Sequence, residues 1–339
     1  MPAHPFRESA DALLREVSRS FYLSVRMLPR ALRAPIGLAY LLARATDTVA
    51  DTASAPVERR IELLSSLGEA IASGQGSNAL FADLETFAAS QSHAGERRLM
   101  LRVRECLSAL DATAEADAHD IRAVLSHIVH GQSLDLERPI VPDAAALREY
   151  AYLVAGSVGE FWTDLCERHL ADFANRPAWQ MRAFGRSFGC ALQLVNIVRD
   201  AGEDLRNGRC YFPASELAAA GFEAAHFEVA AAVLADTPRF MPVWWHWQDE
   251  AAEGLADGLT YAQAVNSRRV RAAVALPAIL GQRTLSRVRA AGPSALNVKV
   301  KVPRSEVRAL LFRMLIGLAG RSTVRSQGSQ GSQWDNRGR

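Results

Sequence analysis

Residues 192–213 read LQLVNIVRDAGEDLRNGRCYFP, and this stretch decides how the chain folds and what it can bind. Its apolar residues recur at helical spacing, and Asp200, Glu203 and Asp204 follow at the end of the same predicted helix. Like charges four residues apart cost a helix about 0.2–0.5 kcal/mol, so the pair needs a compensating positive charge. Basic side chains nearby are Arg199, Arg206 and Arg209. The stretch is therefore either a solvated helix end with mixed charges or part of a site for a divalent cation.

A second copy of the arrangement stands far upstream, at residues 40–51, which read YLLARATDTVAD. Here Asp47 and Asp51 are four residues apart at the end of an apolar run, and Arg44 precedes them by about one turn. One such acidic pair is more often a solvated helix face than a site. Two copies, each entered from an apolar helix and each with an arginine, favour a shared functional role.

Composition limits the class of protein. The chain has 339 residues, 49% of them hydrophobic, which is enough for one large domain or two smaller ones. Lys and Arg number 39 against 37 Asp and Glu, so the charge balance gives no reason to expect nucleic acid as a partner. The four cysteines show no C-x-x-C spacing, which favours reduced thiols in the cytoplasm over disulfides or zinc.

The two ends of the sequence bear on targeting and membrane association. The N-terminal residues contain no long apolar run, so we expect no signal peptide. The apolar run 309–319 is interrupted by Arg313 and is far shorter than the roughly 20 residues that span a bilayer. It is either a core helix or a peripheral membrane contact. We expect one domain over 1–320 and a disordered polar tail over 321–339.

Helical periodicity runs through almost the whole chain, and no segment shows the alternation of a β-strand. The spacing predicts helices over 9–28, over 97–110 and over 144–169, with Pro35 opening the helix that carries the first acidic pair. Abundant alanine agrees with this pattern. The expected fold class is therefore all-α, a helical bundle with a central cavity lined by inward-pointing side chains.

The two acidic pairs suit a particular ligand chemistry. Mg²⁺ takes oxygen ligands and is typically held by one or two carboxylates together with the phosphates of a substrate. Two facing pairs, ringed by arginines and backed by an apolar cavity, would bind a Mg²⁺–diphosphate group with a hydrocarbon tail. The expected arginines are Arg19, Arg44, Arg199 and Arg209. This combination predicts an isoprenyl diphosphate site.

Four segments resemble the signature blocks of the squalene and phytoene synthase family. They are SRSFYLSVRMLP at 18–29, YLLARATDTVAD at 40–51, YAYLVAGSVGEFW at 150–162, and the stretch at 192–213. The resemblance covers roughly residues 10 to 290. It implies an all-α isoprenoid synthase fold and head-to-head joining of two allylic diphosphates through a cyclopropyl intermediate.

The resemblance also assigns roles to individual residues. It implies Mg²⁺ ligands at the acidic pairs, namely Asp47, Asp51, Asp200, Glu203 and Asp204. The substrate-binding residues that it implies are Arg19, Ser20, Phe21, Tyr40, Arg44, Gln193, Asn196, Arg199 and Arg209.

Aromatic side chains near such a site can shield a carbocation, each well-placed ring contributing about 0.5–2 kcal/mol. The candidates are Phe21, Tyr40, Tyr152 and Phe188, each of which alone is better explained by ordinary core packing. The family uses a tyrosine of the Y-x-Y-x-V-A-G block to steer the cyclopropyl step. Eukaryotic relatives place that tyrosine where this chain has Leu153, so the expected catalytic tyrosine is Tyr152.

The C-terminal region bears on the product. Lys299, Lys301 and Arg304 alternate with apolar residues in NVKVKVPRSEV, where squalene synthases carry a basic segment for NADPH. An exposed basic loop explains the pattern equally well. No G-x-G-x-x-G fingerprint is present, and Ala273 stands where eukaryotic relatives have phenylalanine.

The expected reaction joins two molecules of farnesyl diphosphate to presqualene diphosphate and reduces this product with NADPH to squalene. Formation of phytoene, dehydrosqualene or hydroxysqualene stays an alternative, because chain length and the fate of the second cation are not legible in the sequence. A non-catalytic assembly factor of the same family is a remote alternative, since such a relative would have lost carboxylates and all four aspartates stand here.

Overall fold

Helices make up most of the described part of the chain. The computed structural model describes residues 6–18, 22, 25–138, 140–223 and 230–319. Its α-helices are α1 (Phe6–Val17), α2 (Arg30–Asp51), α3 (Val57–Ser73), α4 (Asn78–Ala89), α5 (Ala94–Leu101), α6 (Val103–Asp111), α7 (Glu115–Glu137), α8 (Ala144–Ala151), α9 (Ser157–His169), α10 (Ala178–Arg206), α11 (Ala214–Ala219), α12 (Thr237–Ala264), α13 (Arg268–Ala291) and α14 (Arg304–Ala319). A π-helical turn at Tyr152–Gly156 joins α8 to α9, and short 3₁₀ turns lie at Ala230–Asp236 and Gly292–Leu296. Within these residues there is no β-strand, only two isolated bridges.

Several helix boundaries differ from the sequence expectation. Pro35 lies inside α2, which already begins at Arg30. The helix expected over 97–110 is two helices, which meet at Arg102. The helix expected over 144–169 is interrupted by the π-helical turn, where the backbone N–H of Ser157 bonds to the carbonyl of Tyr152. The tail expected over 321–339 lies outside the described residues.

Helix α10 is the centre of the molecule. It packs against α12, α9, α13 and the π-helical turn, while α2 packs against α7 and α3. The indole of Trp244 on α12 is fully buried and donates a hydrogen bond of 2.9 Å from Nε1 to the carbonyl of Val198 on α10. The buried apolar side chains form one cluster that extends from Leu13 to Leu296. The two helices that carry the acidic pairs are therefore anchored in the same core.

Short backbone contacts bring the loops after α7 and α10 together. Ile140 and Cys210 form an isolated parallel bridge, and the N–H of Val141 donates to the carbonyl of Cys210 at 3.0 Å. Gly208, with a φ of +83°, gives α10 the left-handed turn that ends the helix and starts this contact. As a result, the end of α7 lies beside the residues that follow the second acidic pair.

Two further sequence expectations concern membranes and cysteines. None of the described helices combines the length and apolar character needed to cross a bilayer. All four cysteines are free thiols, with Cys106, Cys166 and Cys210 buried and Cys190 partly buried.

Candidate active site

The first acidic pair lies in the last two turns of α2, in a cleft of about 270 Å³. Arg44, one turn before the pair, donates to Asp47 and also to Glu96 of α5. Burial in the cleft and the neighbouring Asp51 raise the pKa of Asp47 to about 6, although Arg44 opposes the shift. The cleft therefore concentrates more negative charge than its own arginine neutralises.

The second acidic pair occupies the last turns of α10, where a cleft of about 330 Å³ contains Asp200 and Glu203. Arg199 donates to Asp200, and Lys299 Nζ lies 3.3 Å from Asp200 Oδ1 and 2.9 Å from Glu203 Oε2. Burial would raise the pKa of Asp200, but these two cations outweigh it and hold the pKa below its usual value. For Asp204, burial together with the charge of Asp200 raises the pKa to about 7.

An ion pair stands between the two acidic pairs. Arg209 Nη1 lies 3.1 Å from Asp135 Oδ2, and the hydroxyl of Tyr211 donates to Asp135 Oδ1 at 2.8 Å. Burial is the largest effect on the pKa of both Asp51 and Asp204, and it raises both values. Asp135 also raises them, whereas Arg209 lowers them. The same arginine and the same carboxylate therefore act electrostatically on one member of each acidic pair. Asp135 was not predicted from the sequence, since it belongs to no acidic pair.

The tyrosine that faces this point is Tyr150, not Tyr152. The ring of Tyr150 stacks on Tyr211 with centroids 5.3 Å apart and planes 23° apart. The hydroxyl of Tyr152 instead donates to Glu160 at 3.1 Å, and the guanidinium of Arg186 lies 4.2 Å from the centre of its ring. Residues two apart on a helix are about 200° apart around its axis, so the two tyrosines face opposite sides. Tyr152 stays the catalytic tyrosine predicted from the sequence, and the contacts of Tyr150 make it a second candidate.

The remaining predicted residues fall into three groups. On the helices of the acidic pairs, Tyr40 and Gln193 are half-buried and Asn196 is exposed. Phe188 is a buried residue whose ring packs against Gly258 of α12, as core packing predicts. Arg19, Ser20 and Phe21 lie outside the described residues.

The basic segment at the C-terminal end is divided. Lys299 contacts the second acidic pair, whereas Lys301 and Arg304 are exposed to solvent. Ala273 is buried in α13. Of the three residues expected to meet NADPH, Lys299 is therefore already engaged by carboxylates.

The donor set fits Mg²⁺. All candidate ligands are carboxylate oxygens, and the raised pKa values of Asp47 and Asp204 mark an excess of negative charge that a cation would relieve. In the part of the chain that the structure describes, no three acidic, histidine or cysteine side chains gather closely enough to enclose a metal alone. Mg²⁺ keeps several waters and completes its coordination with substrate phosphates.

Comparison with solved structures establishes the fold, and a family model establishes the class of protein. The chain superposes on TcSQS in its complex with the ligand E5700 with a TM-score of 0.71 at 22% sequence identity, covering 90% of this chain and 84% of that one. The predicted all-α isoprenoid synthase fold is thereby confirmed. The family model for squalene/phytoene synthase matches residues 14–306, and the chain belongs to that family. The resemblance seen in the four sequence blocks is confirmed as well.

Two curated relatives illustrate the range within the family. The presqualene diphosphate synthase of Zymomonas mobilis is 31% identical over 205 residues, which are 60% of this chain and 59% of that protein. The bifunctional lycopene cyclase/phytoene synthase of Blakeslea trispora is 31% identical over 212 residues, which are 59% of this chain and 31% of that protein. The chain thus matches less than two thirds of the length of either relative. The family binds prenyl diphosphates, generally with Mg²⁺, but the names of these relatives point to different products.

Proposed function

We propose that this protein joins two molecules of farnesyl diphosphate head to head to form presqualene diphosphate, and then reduces that product with NADPH to squalene. The observation that supports the proposal is that two carboxylate pairs, one on α2 and one on α10, are both under the electrostatic influence of the Asp135–Arg209 ion pair. The four aspartates are all present, which argues against a non-catalytic assembly factor.

The acidic pairs would hold Mg²⁺ through Asp47, Asp51, Asp200 and Asp204, with Glu203 at the rim. Bound there, the cation supplies positive charge that stabilises a leaving diphosphate. Arg44, Arg199 and Arg209 each lie beside one of these carboxylates or beside Asp135, so their guanidinium groups can also meet diphosphate oxygens. Positive charge fixed in place before the reaction is the main electrostatic contribution that such a site can make.

The stacked rings of Tyr150 and Tyr211 would act on the carbocation in the proposed reaction. Ionisation of an allylic diphosphate leaves a carbocation, which must meet the second isoprenoid before it meets water. The stacked rings lie against Asp135 and Arg209, next to the place where the leaving group departs. Their faces can attract the cation by about 0.5–2 kcal/mol per ring, and their bulk excludes water.

The proposed NADPH step would use basic side chains near the C-terminal end. Lys301 and Arg304 are exposed and can meet the phosphates of a nicotinamide cofactor, while Lys299 is held by Asp200 and Glu203. Phytoene formation from geranylgeranyl diphosphate is the second candidate, because a phytoene synthase is among the relatives at 31% identity.

The test is incubation of the purified full chain with farnesyl diphosphate and Mg²⁺, with and without NADPH, followed by mass spectrometry of the extracted lipids. We expect presqualene diphosphate without NADPH and squalene with it. Geranylgeranyl diphosphate is run in parallel. Phytoene from that substrate, with no 30-carbon product from farnesyl diphosphate, would overturn the proposal in favour of the second candidate.

A further inference from the structure

The chain contains only two lysines, and one of them lies on the second acidic pair. Lys299 and Lys301 are the only lysines among the 39 Lys and Arg residues. Lys299 Nζ lies 3.3 Å from Asp200 Oδ1 and 2.9 Å from Glu203 Oε2, whereas Lys301, two residues further on, is exposed. In a protein that uses arginine almost everywhere else, the single ammonium group that contacts the site calls for a physical explanation.

The backbone before Lys299 is fixed onto α10. We call residues 296–299 the lysine strap. The carbonyl of Leu296 accepts hydrogen bonds of 2.9 and 3.1 Å from Nη2 and Nη1 of Arg206. The same carbonyl lies so close to Gly202 that a Cβ built there would be 1.7 Å from its oxygen. Only glycine at position 202 permits this approach, so the strap is seated at a defined place two residues along α10 from Asp200.

The chemistry of lysine suits an exchangeable contact. An arginine fork binds a carboxylate through two parallel hydrogen bonds, whereas an ammonium is a point charge on a flexible stem. Arg199 already binds Asp200 in this way, donating from Nε to Oδ1 at 3.1 Å and from Nη2 to Oδ2, so the ammonium only shares Oδ1 with it. The side chain of Lys299 is 44% exposed, and ion pairs at such positions are weak. Lys299 therefore neutralises the carboxylates without holding them firmly.

We propose that Lys299 is a tethered counter-ion of the second acidic pair, which occupies the oxygens of Asp200 and Glu203 in the metal-free protein and is displaced when a divalent cation binds there. This inference rests on the metal site of the proposed function and adds its regulation. Cation binding and release of the Lys299 ammonium are then one exchange equilibrium. Displacement of the ammonium frees a positive charge at the mouth of the site in the same step.

The scarcity of lysine allows a direct spectroscopic test. Reductive methylation with ¹³C-formaldehyde labels Lys299, Lys301 and the N-terminal amine and keeps their positive charge. The variant K301R leaves one lysine signal, which therefore belongs to Lys299. We expect Mg²⁺ alone to move this signal to the position of a solvated lysine along the same titration curve that raises the Tm. A signal that stays in place while Mg²⁺ raises the Tm would overturn the proposal.

A matched pair of variants distinguishes direct exchange of the Lys299 ammonium with Mg²⁺ from a general electrostatic effect of positive charge on this segment. K299M and K301M remove the same charge from the same segment, two residues apart. From the concentration dependence of the Tm on Mg²⁺, we expect K299M to lower the apparent Kd about three- to tenfold and K301M to lower it less than about twofold. K299R, which restores a cation with a firmer grip, should raise the Kd. Equal effects of K299M and K301M, or weaker binding in K299M, would overturn the exchange.

The outcomes for exchange and for function remain distinct. If the protein turns over farnesyl diphosphate but K299M binds Mg²⁺ with unchanged affinity, the counter-ion role is excluded and the proposed activity stands. Tighter binding in K299M without turnover of any prenyl diphosphate keeps the exchange and removes the proposed activity. Absence of any Mg²⁺ effect on the Tm of all these proteins removes the exchange, and turnover then decides the function separately.

Discussion

The guanidinium of Arg209 lies 3.1 Å from the carboxylate of Asp135, and both groups act electrostatically on Asp51 of the first acidic pair and on Asp204 of the second. Removal of Arg209 leaves Asp135 and its neighbours Asp51 and Asp204 without the cation that lowers the pKa of each. We expect R209M to reduce turnover of farnesyl diphosphate at least about 100-fold, because a fixed charge that stabilises a transition state is worth about 3–4 kcal/mol. Steady-state kinetics measure this loss.

The control for Arg209 is Arg148, whose guanidinium pairs with Glu250 at 2.7 Å on the exposed surface. Ion pairs at the surface contribute about 0–1 kcal/mol, so R148M should keep its activity and nearly all of its stability. Similar losses in both variants would mean that Arg209 only supports the fold.

The choice between Tyr150 and Tyr152 is the second prediction. Tyr150 stacks on Tyr211 beside Asp135, whereas Tyr152 bonds to Glu160 on the other side of the helix. We therefore expect Y150A to reduce formation of the 30-carbon product at least about tenfold, since it opens the aromatic wall of the site. Y152A should lower the Tm while kcat changes less than about threefold. The reverse order of the two kcat values would return the catalytic role to Tyr152.

These two cases show how far the sequence could predict the site. Asp47, Asp51, Asp200 and Asp204 were legible because each pair repeats a spacing that places both carboxylates on one helix face. Asp135 stands alone, and its position beside Arg209 arises only when the loops after α7 and α10 meet. Local spacing carries no information about such a contact between distant segments.

The helical class was equally legible, but interruptions within helices were not. Apolar periodicity continues across Arg102 and across the π-helical turn at Tyr152–Gly156, so neither break leaves a mark in the pattern. The turn matters, because it begins at Tyr152, two residues after Tyr150, and the carbonyl of Tyr152 accepts from the N–H of Ser157 at the start of α9. For Lys299, the sequence showed a basic residue but could not show that its partner is Asp200.

A third prediction concerns the core that holds α10 in place. Trp244 is fully buried and bonded to the carbonyl of Val198, two residues before Asp200. We expect W244F to lower the free energy of unfolding by about 2–4 kcal/mol, because it leaves a cavity and a buried carbonyl without its donor. Urea denaturation measures the change. Trp245 is 50% exposed, so W245F should change the value by less than about 0.5 kcal/mol, and equal losses would contradict the placement of the two rings.

The thiols give a final prediction with a defined dependence on pH. Burial raises the pKa of Cys106 to about 12. Burial is also the main reason why the pKa of Cys190 and that of Cys210 are raised to about 11. Only the thiolate reacts with a disulfide reagent, so at pH 8 the native protein should react slowly, and all four cysteines should react at once in urea. Because folding raises these pKa values above that of an unfolded cysteine, the thiols stabilise the native state fully at pH below about 8.5, and this contribution is lost as the pH rises through about 11 to 12. C106A removes one of the groups and serves as the control. Rapid labelling of Cys106 in the folded protein at pH 8 would contradict its burial between α6 and the core.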